Sequence, residues 1–556
     1  MKSVIIVKFI LVFGFSLAKQ VGESYPSVVS LLGQVEGHYK TSSNGRRYEA
    51  YEGIPYAQPP IGNLRFGVPQ PISPWTDVLI ARQSSPCCMQ YSYLPPYPSG
   101  KVIGSEDCLY LNVFTPIRGD SLLPVIFWIH GGAFHSGSGA QYTPKYLLNE
   151  NVILVTINYR LGPLGFLSTE DEIVPGNMGL KDQAVALRWV ANNIRSFGGD
   201  PAKVTLFGQS SGGASVHYHY LTNLSSGLFH GGMSFSGTAL HSWSLAEDSL
   251  EKTRKLATVV GCTTSNVKLM IDCMKARPAD RIVQALEKFI FWRASPHVPF
   301  GPVVEKEGSE LTFINRPPIE IISSRKAQDV PWIVGIVSEE GLYPAADYVT
   351  NDTILQEMND RWDTIAPHLL DYYYTIPNVD HANISSLIKE HYLGSEQFSR
   401  STFNQTVQMI GDRLFVYSCD NAARLQARFN KSPVRFHQFT YRGNHSLSNL
   451  LCACDENFGV SHSDEHLYVL STNFNITLPQ DLKMQKKLLK FWTSFAIDGS
   501  PNVGVEWPTL NECAGEMCYL QIAGPNKIDV QSKPEFGQKN FWHSIGFNEN
   551  NYTLAA

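Results

Sequence analysis

A short apolar run, Val204 to Phe207, leads straight into Gly208-Gln209-Ser210-Ser211-Gly212 and then into the small residues Gly213 and Ala214. No other stretch restricts the possible folds so tightly. A Ser held on a sharp turn between a strand and a helix needs small residues two positions to either side. Larger ones would collide with the strained backbone that points its Oγ outward. Glycines fill both positions. The pentapeptide alone is a weak signal, and the apolar run before it and the helix start after it supply the context.

Similar apolar runs recur at 125–129, 152–159, 330–337 and 434–441. Between them lie segments of helical period. Leu180, Ala184, Leu187, Ala191 and Ile194 mark one face of a helix over 180–197 that Gly198-Gly199 ends, and a second helix over 482–496 is stopped by Gly499. Buried strands separated by helices predict the α/β class, a large and mostly parallel central sheet flanked by helices. The region up to Trp75, rich in Gly, Pro and Tyr, reads as short strands and turns. Ser244 with Glu247 reads as a capping box that opens a helical stretch to Lys288, a partly separate cap. No linker, repeat or low-complexity tract divides the chain.

The first residues combine Lys2, an apolar stretch from Val4 to Phe15 and small residues at Ser16-Leu17-Ala18. This is the pattern of a secretory signal over 1–18, with a single domain over 19–556 and an extracellular destination. No later stretch is long and apolar enough to anchor the chain in a membrane. With 45 basic against 50 acidic residues and no long basic run, the net charge of −5 offers no footprint for nucleic acid. Ten cysteines without paired Cys-x-x-Cys spacing suit disulfides rather than zinc. Cys88 with Cys108 and Cys262 with Cys273 can close local loops, which leaves Cys87, Cys419, Cys452, Cys454, Cys513 and Cys518 open. Glycan acceptor sequons stand at Asn223, Asn351, Asn383, Asn404, Asn444, Asn475 and Asn551, with a weaker one at Asn430, where Pro433 follows.

The chemistry follows from what a Ser nucleophile needs. Val125 to Ile129 runs into His130-Gly131-Gly132, whose free backbone N–H groups suit a developing oxyanion, each such donor contributing about 3 to 4 kcal/mol in the transition state. Gly131 and Gly132 are two expected donors and Ser211 N–H is the third. A carboxylate and an imidazole must lie downstream. The run 330–337 ends in Ser338-Glu339-Glu340-Gly341, which places Glu340, with Glu339 as the alternative, at a strand end where catalytic groups gather. The segment from Gly459 to His466 offers two imidazoles, of which His462 is preferred. No metal or organic cofactor is required.

Together these segments resemble the type-B carboxylesterase and cholinesterase family from about Tyr51 to Asn502. So do Gly53-Ile54-Pro55-Tyr56-Ala57, Leu64-Arg65-Phe66, Ser105-Glu106-Asp107-Cys108 and Asp182-Gln183. The resemblance implies an α/β-hydrolase fold, a Ser210, Glu340, His462 triad, an oxyanion hole of Gly131, Gly132 and Ser211, and hydrolysis of small-molecule carboxylic esters. It also implies the two disulfides above, with Cys419 as half of a third whose partner is Cys513 or Cys518. The chain departs from many relatives in carrying Gln209 and Ser211 around the Ser, where those relatives have Glu and Ala. Between Cys88 and Cys108 its only aromatics are Tyr91, Tyr93 and Tyr97, without the Trp that binds quaternary ammonium in cholinesterases. Choline esters are disfavoured. Gln209 is similar to juvenile hormone esterases, and the overall pattern is similar to secreted insect carboxylesterases of the venom type. A juvenile hormone esterase and a non-catalytic extracellular binding homologue are the alternatives.

Overall fold

The computed structural model describes residues 25–547 except 93–99, 310 and 473. The leader expected over 1–18, Tyr93, Tyr97 and Asn551 lie outside the described residues. Along the strand Leu123–Ile129, residues 124–129 are all buried. Alternate side chains point to opposite faces of a strand, so Val125, Phe127 and Ile129 join one hydrophobic cluster while Ile126 and Trp128 join the other. The two clusters are the two layers between sheet and helices.

Eleven strands form the main sheet: β1 His38–Thr41, β2 Arg47–Pro55, β3 Tyr110–Pro116, β4 Leu123–Ile129, β5 Ile153–Ile157, β6 Gly199–Gln209, β7 Gly231–Phe235, β8 Trp332–Val337, β9 Val434–Phe439, β10 Met517–Gly524 and β11 Lys527–Lys533. Their spatial order is β1-β2-β3-β5-β4-β6-β7-β8-β9-β10-β11. The seven from β5 to β10 are mutually parallel, with antiparallel strands at both ends. The near-continuous apolar runs belong to this parallel core, buried on both faces. Six helices matter for the site: α1 Met178–Asn193, α2 Ser211–Tyr220, α3 Ser249–Val259, α4 Phe403–Gly411, α5 Tyr417–Phe429 and α6 Pro479–Asp498. On one face, Trp492 of α6 stacks on Trp128 and Phe235, with centroids 5.7 and 4.9 Å apart.

The helix expected over 180–197 is α1 followed by a 3-10 turn, Ile194–Phe197, which Gly198 ends at φ 85°. The capping box expected at Ser244 does not form. Ser244 closes a 3-10 turn and its Oγ donates to His241 O (2.8 Å), while Ala246 N pairs with Pro302 O, so the chain runs on past Glu247 and α3 starts after Asp248. The quoted motifs are tied down by ion pairs: Arg65 to the half-buried Glu106 at 2.6 Å, and Arg160 to the buried Asp182 at 2.7 Å. Gln183 Nε2 donates to Ser215 Oγ (3.1 Å), which joins α1 to α2 behind Ser210.

Candidate active site

Ser210 joins β6 to α2 at φ 58°, ψ −125°. Such a conformation costs a non-glycine residue on the order of 1–3 kcal/mol and persists only where its surroundings impose it. Here Ser210 N donates to Phe235 O (2.7 Å). A Cβ at Gly212 would stand 2.1 Å from Ile129 O, and one at Gly208 2.2 Å from Gly212 O. The two glycines thus let α2 press against the end of β4, which leaves Ser210 at the turn.

β4 passes close beside it. A Cβ at Gly131 would lie 3.1 Å from Ser210 Cβ. Gly132, at φ 114°, closes a tight turn in which its carbonyl accepts from His135 N (3.1 Å) and Ser136 N (2.9 Å). The N–H groups of Gly131, Gly132 and Ser211 donate to no acceptor among the described residues. Ser211 opens α2, where unpaired N–H groups and the helix dipole favour negative charge. His130 is fully buried, its ring stacked on Tyr159 (4.4 Å) and its Nδ1 on Gly131 O (2.8 Å). Burial pushes its pKa down to about 4, so it holds the turn as a neutral group.

The downstream partners meet at the same edge. His462 Nδ1 lies 2.7 Å from Glu340 Oε2, with both side chains buried. Glu340 Oε1 accepts from Ser236 Oγ (2.5 Å) and Val337 N (2.9 Å), which fixes the carboxylate from behind. A Cβ at Gly341 would stand 1.9 Å from Val407 O, so only glycine lets α4 close over the acid. Glu339, the alternative acid, faces elsewhere. Its Oε2 accepts from Val460 N (2.7 Å) and its backbone N donates to Val460 O (3.1 Å), a clamp between the acid loop and the histidine loop. His466, the alternative base, is buried 5.7 Å from the ring of Trp128 and pushed down to about 3 by burial. The opposite side of His462 is taken by Gln209, whose Nε2 donates to His462 Nε2 at 2.8 Å. With Nδ1–H directed at Glu340, the Nε2 lone pair is the acceptor, and Gln209 occupies it.

Comparison with known proteins decides the family. Residues 24–542 match the profile described as "Carboxylesterase family". The chain belongs to the carboxylesterase family. It is 50% identical to a carboxylic ester hydrolase of Bombus ignitus, with 97% of this chain and 98% of that protein covered. It is 48% identical to venom carboxylesterase-6 of Apis mellifera, with 98% of each covered. The crystal structure of juvenile hormone esterase from Manduca sexta, with OTFP covalently attached, superposes with a TM-score of 0.82 at 27% identity, covering 94% of this chain and 99% of that one. The fold is that of the α/β-hydrolases and the chain is an ester hydrolase.

In this carboxylesterase an aromatic wall closes on the histidine. Phe415 lies 4.3 Å and Tyr343 5.5 Å from the ring of His462, and Trp243 stands 6.2 Å from Phe415 and 6.4 Å from Phe134. Phe415 sits in a π-helical insertion, Asp412–Val416, between α4 and α5. Such wide turns often mark functional sites. Burial pushes the Asp412 carboxyl from its ordinary 3.8 up to about 7, and Tyr392 Oη donates to it at 3.0 Å. The folded enzyme therefore keeps a proton that the unfolded chain releases near pH 4, and stability falls as pH rises from about 4 to about 7. At 1.36 kcal/mol per unit this costs at most about 4 kcal/mol. Asp412→Asn should therefore be more stable than wild type at pH 8, by about 2 to 4 kcal/mol in urea unfolding, with little difference at pH 4. Equal stability at pH 8 would contradict this account.

Sequence reading did not find Ser236, Phe415, the clamp made by Glu339, or Asp464. The Asp464 carboxylate accepts from Leu447 N (2.7 Å) and Ser461 N (2.8 Å) and so fixes the histidine loop. A Ser just past the end of β7 was the available signal for Ser236.

Cys88 pairs with Cys108 and Cys262 with Cys273, while Cys452 pairs with Cys454 and Cys513 with Cys518. The third bridge expected of Cys419 is not formed, because its two possible partners are joined to each other. Cys419 is a free thiol buried in α5, raised well above the ordinary range by burial and then by Glu340. Asn223, Asn351, Asn383, Asn404, Asn444 and Asn475 are exposed, whereas Asn430 is buried and donates to Gln328 O (3.1 Å). Tyr91 is buried. Among the described residues no helix is long and apolar enough to cross a membrane, and no group of three or more His, Cys, Asp or Glu is placed to hold a metal.

Proposed function

We propose that this chain is a secreted serine carboxylesterase that cleaves uncharged carboxylic esters through an acyl-enzyme, with residues 19–556 as one catalytic domain. The observation that carries the reading is the buried 2.7 Å contact of His462 Nδ1 with Glu340, set at the same sheet edge as the strained Ser210 turn. As substrate seats, Gln209 yields the Nε2 position to Ser210 Oγ. His462 takes the Ser210 proton as the oxygen attacks the ester carbonyl, and Glu340 holds the imidazolium that forms. The N–H groups of Gly131, Gly132 and Ser211 receive the oxyanion. His462 returns its proton to the departing alkoxide, and water activated by the same imidazole releases the acid. Gln209 brings no charge to the site, and the wall of Phe415, Tyr343 and Trp243 favours apolar groups. Secretion rests on the leader pattern and on the likeness to a venom carboxylesterase, and glycan addition on the sequons at exposed positions.

The test uses full-length chain expressed in insect cells and recovered from the medium. An aryl butyrate, a choline ester and juvenile hormone are compared by kcat/KM, and Ser210 is checked for a covalent organophosphonate adduct by mass spectrometry. The expected result is an adduct at Ser210 and at least tenfold preference for the aryl ester over the choline ester. Gln209 and the Manduca sexta likeness favour one second reading, a juvenile hormone esterase, and dominant turnover of the hormone would install it. Folded protein that is neither labelled nor active would leave a binding role.

A further inference from the structure

Beyond Trp243, away from His462, a cavity of about 550 Å³ opens between α3, the segment 288–299 and the helix Asp352–Leu369. A narrower pocket that shares Lys252, His368, Tyr373 and Tyr374 with it reaches back to Trp243. Three ammonium groups, Lys252, Lys255 and Lys288, line the cavity against one carboxylate, Asp363. Lys255 and Lys288 are exposed, while Lys252 is only 8% exposed. The Lys252 Nζ stands over the Tyr374 ring, 4.4 Å from its centroid, and makes no hydrogen bond or ion pair with any described residue. Asp371, Glu247, Asp248 and Glu170 act on it electrostatically from beyond contact, too weakly to offset its burial, which depresses its pKa. A buried ammonium without an acceptor is costly, so the arrangement calls for an anion.

The opposite wall calls for an apolar body. His368 is stacked between Phe291 (4.1 Å) and Tyr373 (4.3 Å), and burial pushes its pKa to about 4, so all three rings are uncharged. We propose that this cavity binds an organic carboxylate with a flat apolar body, the carboxylate on Lys252 and the body against the stack of Phe291, His368 and Tyr373. Lys255 at the mouth adds positive field for capture, and Lys288 stands there paired with Glu287 at 3.2 Å. The acid released by ester hydrolysis is of this chemical class. The site itself does not depend on the serine mechanism.

The probe is sodium 2-naphthoate, with neutral 2-naphthamide as its counterpart, titrated by fluorescence into Ser210→Ala protein so that no turnover enters the reading. Lys252→Met, which keeps the length and fill of the side chain, should weaken naphthoate at least tenfold and leave naphthamide within twofold. Lys255→Met with Lys288→Met, at exposed positions that cannot upset folding, should weaken naphthoate about threefold and make its affinity less salt-dependent. Naphthoate that binds Lys252→Met and the double variant as tightly as the parent, or that fails to bind folded parent protein, overturns the proposal. Loss of esterase activity is read in a separate assay and has no bearing on this outcome.

Discussion

Ser210→Ala should lower kcat for an aryl butyrate by about 10⁵ to 10⁶, the scale on which loss of the nucleophile disables a serine triad. Folding should be unaffected, because the hydroxyl leaves no buried partner behind: its backbone N and O are held by Phe235 O and Ala214 N regardless of side chain. Ala keeps the same Cβ and so tolerates φ 58° no worse than Ser. The residual rate should still exceed that in water by about 10³, since the N–H groups of Gly131, Gly132 and Ser211 continue to receive negative charge. Three readouts therefore separate chemistry from damage: kcat falls, the thermal midpoint stays within about 2 °C, and organophosphonate labelling disappears. A variant that retains more than one part in a hundred of wild-type kcat would remove Ser210 from the reaction.

The parts of this enzyme that were legible in sequence share one physical property: they are fixed by local backbone demand. Gly208 and Gly212 are required because helix and strand meet within 2.2 Å of where their Cβ atoms would be, and that demand is written as a five-residue pattern. The apolar runs were legible because a parallel strand buried on both faces has no polar side, as in β4. Other parts depend on what arrives from elsewhere in the chain. Ser236 matters only because β7 and β8 are neighbours, which puts its Oγ 2.5 Å from Glu340 across 104 residues of sequence. Phe415 reaches His462 through a π-helical insertion that leaves no mark on the apolar period of its helix. The capping pattern at Ser244 failed for the opposite reason. Its local signal was sound, but pairing of Ala246 with Pro302, 56 residues on, pulled the chain straight.

Glu340→Gln is the second large effect, a fall of about 10⁴ in kcat with substrate binding little changed. Glu340 Oε1 already accepts from two donors, Ser236 Oγ and Val337 N, so the oxygen of the new amide must stay there. Its NH2 is then forced toward His462 Nδ1, where Oε2 now accepts at 2.7 Å. The imidazole can meet a donor at Nδ1 only by moving its proton to Nε2, and an Nε2–H cannot take the proton of Ser210. A flip of the amide offers no escape, because it would set NH2 against the Val337 backbone N–H, which can only donate. Glu339→Gln provides the control that sequence alone could not. Its carbonyl oxygen can go on accepting from Val460 N, so the clamp survives and kcat should fall by no more than about tenfold, whereas equal losses for both variants would mean that the carboxylates act through loop position and not through the tautomer of His462.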